Sequence, residues 1–141
     1  MSDPMALLVA DIYQAAGLIR QIGERIASGE GQSQARWQLL SVLSDEPRTV
    51  SQAARRLGIA RQAVQRVADD LTRGGLLVAG KNPDHRTSPL FALTAQGKDV
   101  LVRMNAAAAC EHREQLKAMS PAALTQLRDG LRELITILER R

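Results

Sequence analysis

The stretch from Thr49 to Leu93 combines two short helical patterns, a tight turn between them, and a polar loop flanked by apolar residues. The first helical pattern begins at Thr49, which has capping-box spacing to Gln52, so each side chain can satisfy a free backbone N–H at the helix start. Gly58 follows the last apolar position, Leu57, where a helix end favours a residue that tolerates positive φ. A helix, a glycine turn and a second helix form the helix-turn-helix pattern, which constrains the fold more than any other part of the chain.

The second helical pattern runs from Arg61 to Arg73 and has two distinct faces. The face predicted to point into the core carries Val64, Val67, Ala68 and Leu71. The N-terminal part of the opposite face is polar, and its first turn holds no acid although the helix dipole favours acids there. This part carries Arg61, Gln62, Gln65 and Arg66. We predict that Asp69, on the same polar face, pairs with Arg73 one turn later.

Arginine and glutamine are the residue types that read base edges in the major groove. Arginine can bind guanine, and glutamine can bind adenine, through two hydrogen bonds each. A recognition helix presents its N-terminal residues to that groove. We therefore predict that Arg61, Gln62, Gln65 and Arg66 contact bases, with a solvated polar face as the alternative.

A polar loop between two short apolar segments predicts a β-hairpin after the second helix. The apolar segments are residues 76–79 and 90–93, and residues 81–87 between them are turn formers. Arg86 near the tip suits a minor groove, whose narrow A·T-rich form attracts guanidinium groups. Asp84 cannot favour a phosphate, but it can hydrogen-bond the turn backbone or hold Arg86 in one rotamer.

The charge distribution places the positive excess on this same stretch. Residues 1–47 carry three basic and six acidic groups (−3), residues 48–86 carry eight and three (+5), and residues 87–141 carry eight and six (+2). A surface that binds the phosphate backbone requires such an excess. The candidate phosphate contacts lie on the first helix of the pair, whose start also offers backbone N–H groups: Thr49, Ser51, Gln52, Arg55 and Arg56.

Several motifs in this stretch resemble those of the MarR-type winged-helix regulators. They are Ala54-x-x-Leu57-Gly58-Ile59 at the turn, Gln62-x-Val64 with Leu71, Gly75-Leu76, and, most specifically, Asp84-His85-Arg86 followed by Leu93-Thr94-x-x-Gly97. The resemblance implies a DNA-binding wing formed by Asp84, His85 and Arg86. It also implies a homodimer and a small anionic or phenolic effector bound between the dimer helices and the winged helix. One departure is Ala60, where these proteins often have a serine N-cap, so a cap of about 1 kcal/mol is absent.

Both ends of the chain carry heptad-like apolar seams. The first consists of Leu8, Ile12, Ala15, Ile19, Ile22 and Ile26, and the second of Leu124, Leu127, Leu131, Leu134 and Leu138. Such narrow stripes are typical of helices that pair. We predict dimerisation helices over residues 5–28 and 121–139 that intertwine across a two-fold axis. The alternative is a monomer in which the two seams pack on each other.

The predicted architecture is one mainly α (α+β) domain over residues 1–141, a winged helix-turn-helix with N- and C-terminal dimerisation helices. The winged helix-turn-helix covers residues 33–93, and a connecting helix covers residues 95–118. The expected core anchors of these two segments are Trp37, Leu40, Leu43, Val100, Leu101, Met104 and Ala108. Two-fold-related recognition helices spaced by about one DNA turn, ~34 Å, read a pseudo-palindrome.

The sequence shows no motif of an enzyme and no ligand spacing of a metal site, so we expect no enzymatic activity. It has no P-loop, nucleophile elbow or dinucleotide fingerprint, and neither His85 nor His112 has a second ligand at metal spacing, so no cofactor is expected. The single Cys110 allows no intrachain disulfide and indicates a reducing compartment. We predict that Cys110 is buried and inert, with a cysteine-based redox sensor as the alternative.

No targeting or membrane-spanning segment is apparent in the sequence. The apolar-rich residues 5–19 are interrupted by polar groups, and no basic segment precedes them. We therefore expect a soluble, cytoplasmic protein with no membrane partner.

Taken together, the sequence predicts a homodimeric transcription regulator that binds double-stranded DNA at a pseudo-palindromic operator, as a ligand-responsive repressor. The alternative is a winged helix used for protein contact only, which predicts an uncharged or acidic outer face on the second helix. The sequence does not specify the effector; Tyr13, Arg20 and Trp37 can line a cleft, but each equally suits the core or the surface.

Overall fold

The computed structural model describes residues 3–140, which form six α-helices and one two-stranded antiparallel sheet. The elements are α1 (Pro4–Ser28), α2 (Gln34–Val42), α3 (Val50–Leu57), α4 (Arg61–Arg73), β1 (Leu77–Gly80), β2 (Leu90–Leu93), α5 (Ala95–Leu116) and α6 (Pro121–Glu139). This mainly helical winged-helix arrangement confirms the predicted fold class. The chain divides into two compact units between Ala106 and Ala107, inside α5.

Polar residues with extended backbone explain where several helices begin. The Asp3 carboxylate accepts a hydrogen bond from the Met5 N–H at 3.0 Å. The Ser33 hydroxyl likewise accepts from the N–H of Arg36 at 3.2 Å. The Ser120 hydroxyl accepts from the Ala123 N–H at 3.1 Å, before a proline at the first position of α6. Each cap satisfies an amide that the helix itself leaves free.

An aliphatic core forms where α2, α3, α4 and β1 pack on one another. Leu40, Leu71 and Met104 are fully buried, and Val64 is 1% exposed. The predicted inward residues of α4 are buried except Val67, which is half-buried. All seven of the expected core anchors in α2 and its following turn and in α5 are buried: Trp37, Leu40, Leu43, Val100, Leu101, Met104 and Ala108.

The hairpin follows α4 directly, and its first strand begins one residue later than predicted. Gly75 adopts a left-handed backbone with φ of 80°, and the N–H of Leu76 donates to the carbonyl of Leu71 at 2.9 Å, which closes the end of α4. Leu76 therefore belongs to the helix end, and strand pairing starts with Leu77 opposite Leu93.

Arg48 makes internal contacts, which its place in the basic segment of the sequence did not predict. Its backbone pairs with Phe91 beside β2 through hydrogen bonds of 3.1 and 2.8 Å. Its guanidinium donates to the Val42 carbonyl at 2.8 Å and forms ion pairs with Asp45 and Glu46 at 3.3 and 3.4 Å, with 14% of the side chain exposed. The charge of Arg48 is therefore compensated locally, which removes it from the surface available to phosphates.

The same contacts affect the ionisation of Asp45. A hydrogen bond from its own backbone N–H is the largest influence on the Asp45 carboxyl and lowers its pKa. Desolvation, the second largest, opposes it, but the charge and hydrogen bond of Arg48 and the N–H of Glu46 also lower the pKa, which therefore lies below its ordinary value of 3.8.

The second unit contains the end of α5 and the whole of α6. No residue of α6 is buried, and its apolar residues Leu124, Leu127, Leu131 and Leu138 are 38–53% exposed.

Within residues 3–140, no helix is long and apolar enough to cross a membrane.

The prediction that Cys110 is buried is wrong. The thiol is exposed, as are the neighbouring Ala106, Ala107 and Ala109. The inward face of α5 passes through Met104 and Ala108, and Cys110 lies two residues farther on, on the other side of the helix. The thiol accepts a hydrogen bond from the Arg113 guanidinium at 3.4 Å.

Candidate nucleic-acid interface

The start of α3 has the predicted capping box. The Thr49 N–H donates to Gln52 Oε1 at 2.9 Å, and the Gln52 N–H donates to Thr49 Oγ1 at 3.1 Å. Thr49 is buried, so its side chain holds the helix start in place. The amide N–H groups of Val50 and Ser51 are the donors that the helix leaves without an internal partner.

A tight turn joins α3 to α4. Gly58 adopts the left-handed backbone, with φ of 67°, and the N–H groups of Gly58 and Ile59 both donate to the Ala54 carbonyl at 2.9 and 3.2 Å. Helix α4 then begins after Ala60, which has extended backbone and no side-chain cap. The side-chain cap that a serine would provide at this position is therefore absent, as the sequence predicted.

The face of α4 predicted to contact bases lies in solvent. Arg61, Gln62, Gln65 and Arg66 are all exposed, whereas Val64, Ala68 and Leu71 anchor the opposite face in the core. Among residues 3–140, no side-chain hydrogen bond or ion pair engages Arg61, Gln62 or Arg66. Their polar groups are available to an external partner. Arg55 and Arg56, in the last turn of α3, are exposed as well.

The acidic residues of α4 pair differently from the prediction. Arg73 forms its ion pair with Asp70, three residues before it, and not with Asp69. Asp69 instead accepts a hydrogen bond from Gln65 Nε2 at 2.9 Å. Helical spacing allows both i+3 and i+4 partners, and Arg73 takes the carboxylate on the half-buried flank of the helix.

Asn82 organises the turn of the wing. Its Oδ1 accepts from the Asp84 N–H at 3.0 Å, its Nδ2 donates to the Ser88 carbonyl at 2.9 Å, and its own carbonyl accepts from the His85 N–H at 3.2 Å. Asn82, and not Asp84, therefore makes the hydrogen bonds that hold the turn. Within residues 3–140, the Asp84 carboxylate makes neither of its predicted contacts, to the turn backbone or to Arg86. Asparagine is itself a turn former with this capacity, which is the signal that sequence reasoning missed.

The other two wing residues point into solvent. The His85 ring shares a hydrogen bond of 3.1 Å with the Thr87 hydroxyl. Arg86 is exposed, and no hydrogen bond or ion pair engages it in the described part of the chain.

The structure brings the start of α3 and the wing turn together around one open cleft of about 610 Å³. Five of the predicted site residues line it: Thr49, Ser51, Gln52, Asp84 and His85. Arg55, Arg56, Arg86 and the exposed face of α4 do not. The predicted residues thus occupy three neighbouring surfaces of the first unit, namely the α3 start, the α4 face and the wing.

The candidate effector residues do not form a common site in the first unit. Trp37 is a core residue whose Nε1 donates to Asn105 Oδ1 at 3.0 Å. Tyr13 is 76% exposed, and Arg20 lines a shallow depression on α1 with Gly17, Gln21 and Glu24. Within residues 3–140, no group of three or more His, Cys, Asp or Glu side chains is arranged to hold a metal ion.

Comparison with known proteins finds close relatives and a widely shared fold. The chain is 53% identical over 139 residues to an uncharacterised protein of Mycobacterium tuberculosis and to another of Mycobacterium bovis, covering 99% of this chain and 97% of each relative. A solved MarR-family transcriptional regulator from Rhodococcus sp. RHA1 superposes with a TM-score of 0.85 at 16% identity, covering 95% of this chain and 96% of that one. A MarR/EmrR-family regulator from Acinetobacter sp. ADP1 gives 0.85 at 18% identity, covering 99% and 100%.

The family model that matches the sequence covers the helix-turn-helix and most of the wing. It is the model of the MarR family, and it matches residues 31–86, which contain α2, α3, α4, β1 and the wing turn as far as Arg86. The chain therefore belongs to the MarR family, and it shares the winged-helix fold of solved MarR-family proteins.

Proposed function

We propose that this protein is a homodimeric repressor that binds a pseudo-palindromic operator in double-stranded DNA and responds to a small effector. The observation that carries the proposal is the exposed face of α4, on which Arg61, Gln62 and Arg66 have no partner within residues 3–140. Three long polar side chains without partners on one rigid helix suit base edges in a major groove. Gln65 completes the set.

The phosphate contacts of the proposal lie beside this face. The free N–H groups at the start of α3 suit a phosphate oxygen because the helix dipole points its positive end there. Ser51 can add its hydroxyl, and Arg55 and Arg56 add charge from the exposed end of the same helix. Thr49 and Gln52 contribute mainly by fixing this helix start through their capping box.

The wing supplies a second groove contact in this proposal. Asn82 holds the turn through three hydrogen bonds, so Arg86 is presented from a defined backbone. A guanidinium group presented in this way suits the negative potential of a narrow minor groove. Asp84 and His85 line the cleft between the wing and α3, next to the path proposed for the phosphate backbone.

The dimer is proposed from the apolar seams of α1 and α6. On α1, Leu8 and Ile19 are 43% and 64% exposed, and on α6, Leu127 and Leu138 are 53% and 52% exposed. Burying such a seam on a second copy removes apolar area from water. A two-fold dimer then presents two α4 helices to two half-sites spaced by about one turn of DNA, ~34 Å.

In this proposal the dimer has two states that differ in the distance between its two α4 helices. The effector changes DNA binding because it binds these two states with different affinity. By analogy with the family it resembles, we propose a small anionic or phenolic effector bound between the dimer helices and the winged helix.

A salt titration tests the proposal. Fluorescence anisotropy of a labelled duplex from the protein's own upstream DNA gives the affinity over a series of salt concentrations. With ~4 phosphate contacts per protomer, and so ~8 per dimer, the slope of log affinity against log salt should be about −7. Arg86→Ala should weaken binding. Lys117→Ala removes the same charge from a residue that is ion-paired with Glu114 and should leave binding unchanged.

The opposite outcome identifies the alternative function. If the protein binds neither this duplex nor any member of a random-sequence library in a salt-dependent, saturable way, the winged helix is a protein-contact module and the proposal is wrong.

A further inference from the structure

Asp69 is a carboxylate on the one helix face that the proposed function turns toward DNA. It is exposed and lies on the same side of α4 as Gln62 and Arg66. A negative charge there opposes binding to phosphates, so its presence needs a physical reason. No cation forms an ion pair with Asp69 among residues 3–140, and Arg73, one turn later on α4, pairs with Asp70 instead.

The hydrogen bond from Gln65 Nε2 to Asp69 Oδ1, at 2.9 Å, supplies that reason. An ionised carboxylate only accepts hydrogen bonds, so the side of the Gln65 amide that faces it must be the NH₂ group. The carboxylate therefore decides which way the amide is turned. One N–H of Gln65 is used by Asp69, and the carbonyl oxygen and the second N–H remain free.

A glutamine amide held in this way discriminates between purines. Adenine offers one donor and one acceptor in the major groove, at N6 and N7, and so matches the free oxygen and N–H of Gln65. Guanine offers two acceptors, O6 and N7, and would place O6 against the glutamine oxygen. An amide that turns freely can present its NH₂ group to guanine instead, whereas one held by a carboxylate cannot.

We propose that Asp69 is a positioning residue that makes Gln65 select adenine over guanine in the operator. This inference rests on the proposed function and deepens it, because it assigns a base preference to one residue pair. The charge of Asp69 lowers affinity for all DNA, and its hydrogen bond to Gln65 raises selectivity at one base pair.

The test uses the full-length protein and the duplex that wild type selects from a random-sequence library. Selection with Gln65→Ala identifies the adenine that depends on Gln65. Affinities are then measured for this duplex and for its version with guanine at that position. Wild type should favour adenine by about tenfold, in keeping with one two-bonded base contact.

Three substitutions at position 69 separate orientation from charge. Asp69→Glu keeps a carboxylate, which only accepts hydrogen bonds, and should keep the preference for adenine. Asp69→Asn has both a donor and an acceptor, so it allows the Gln65 amide to turn over, and the preference should fall several-fold. Asp69→Ala should abolish it. The control Asp70→Asn removes the same charge one residue along α4 and should leave the ratio of the two affinities as in wild type.

The outcomes are distinguishable. Specific DNA binding with an adenine-to-guanine ratio that no Asp69 variant changes overturns this inference alone. The same holds if Gln65→Ala alters no base preference, or if Asp69→Asn and Asp70→Asn change the ratio equally. Failure of wild type to select any duplex overturns the proposed function together with this inference.

Discussion

The hydroxyl of Thr94 donates a hydrogen bond to the carbonyl oxygen of Gly75 at 2.7 Å, and so fastens the start of α5 to the end of α4. The same hydroxyl accepts from the Gly97 N–H at 3.0 Å as an N-cap, and the Thr94 N–H donates to the Leu76 carbonyl at 3.0 Å. A methyl group on Gly97 would overlap that carbonyl oxygen. The Leu93-Thr94-x-x-Gly97 motif is therefore a clamp that fixes the end of α4 to the start of α5.

Loss of this clamp should destabilise the first unit. Thr94→Val keeps the shape of the side chain but removes both hydrogen bonds of the hydroxyl, and should lower the free energy of unfolding by about 2 kcal/mol. Gly97→Ala should cost about 1–3 kcal/mol or more because the added methyl group meets backbone. Urea unfolding measures both changes.

Gly17→Ala is the matched control for Gly97→Ala. Gly17 lies inside α1, and a methyl group there meets nothing within 4 Å, so this variant should gain about 0.5–1 kcal/mol from helix propensity. Equal effects of the two substitutions would show that the clamp has no special role.

Restoring the missing N-cap of α4 should stabilise this helix. Ala60 already has the extended backbone of an N-cap, with φ of −66° and ψ of 142°. Ala60→Ser should therefore raise the free energy of unfolding by about 1 kcal/mol. Ala63→Ser places the same group at an exposed position inside the helix and should lower it slightly, by less than ~0.7 kcal/mol. A gain from both substitutions, read from thermal unfolding, would contradict the capping explanation.

The hydrogen bond to Asp45 from its own backbone N–H, together with its contacts to Arg48 and Glu46, should make stability depend on pH in the acid range. The pKa of Asp45 is lowered from 3.8 in the folded protein, so its contribution is present at neutral pH and is lost as the pH falls through the folded-state pKa. Asp45→Asn should unfold more readily than wild type at pH 7, and the gap should shrink below pH 3.8. A gap that stays constant from neutral to acid pH would mean that the carboxylate charge is not involved.

The helix-turn-helix could be predicted because apolar and polar residues recur there with a clear helical period. In α4, Val64, Ala68 and Leu71 alternate with charged residues, so the buried face is unambiguous. The burial of Cys110 was mispredicted because the preceding run of four alanines has no such contrast.

Choices among polar partners were less predictable. Asp69 and Asp70 lie four and three residues before Arg73, and both spacings allow a helical ion pair. The prediction took Asp69, whereas Arg73 pairs with the half-buried Asp70. The role of Arg48 depends on pairing with Phe91, 43 residues away in sequence (91 − 48), which no local pattern reveals.

The apolar seam of α6 should hold the dimer together. Leu131→Glu places a charge in the seam, at a residue that is 38% exposed in the single chain, and should leave a folded monomer of 15.3 kDa. Thr125→Glu changes the charge equally on the opposite face and should preserve the dimer. Light scattering after size exclusion measures the mass. A wild-type mass of one chain, or a dimer in both variants, would rule out this interface.

The central claim is that α4 reads the base sequence while α3 binds the phosphate backbone. Its most direct test compares Arg66→Ala with Arg56→Ala on the selected duplex and on an unrelated duplex at the same salt concentration. Arg66→Ala should cost about 1–3 kcal/mol on the selected duplex and much less on the unrelated one, so specificity falls. Arg56→Ala should weaken both by the same factor. If Arg56→Ala alters the preferred sequence, or if Arg66→Ala weakens both duplexes alike, the assignment of the two helices is wrong.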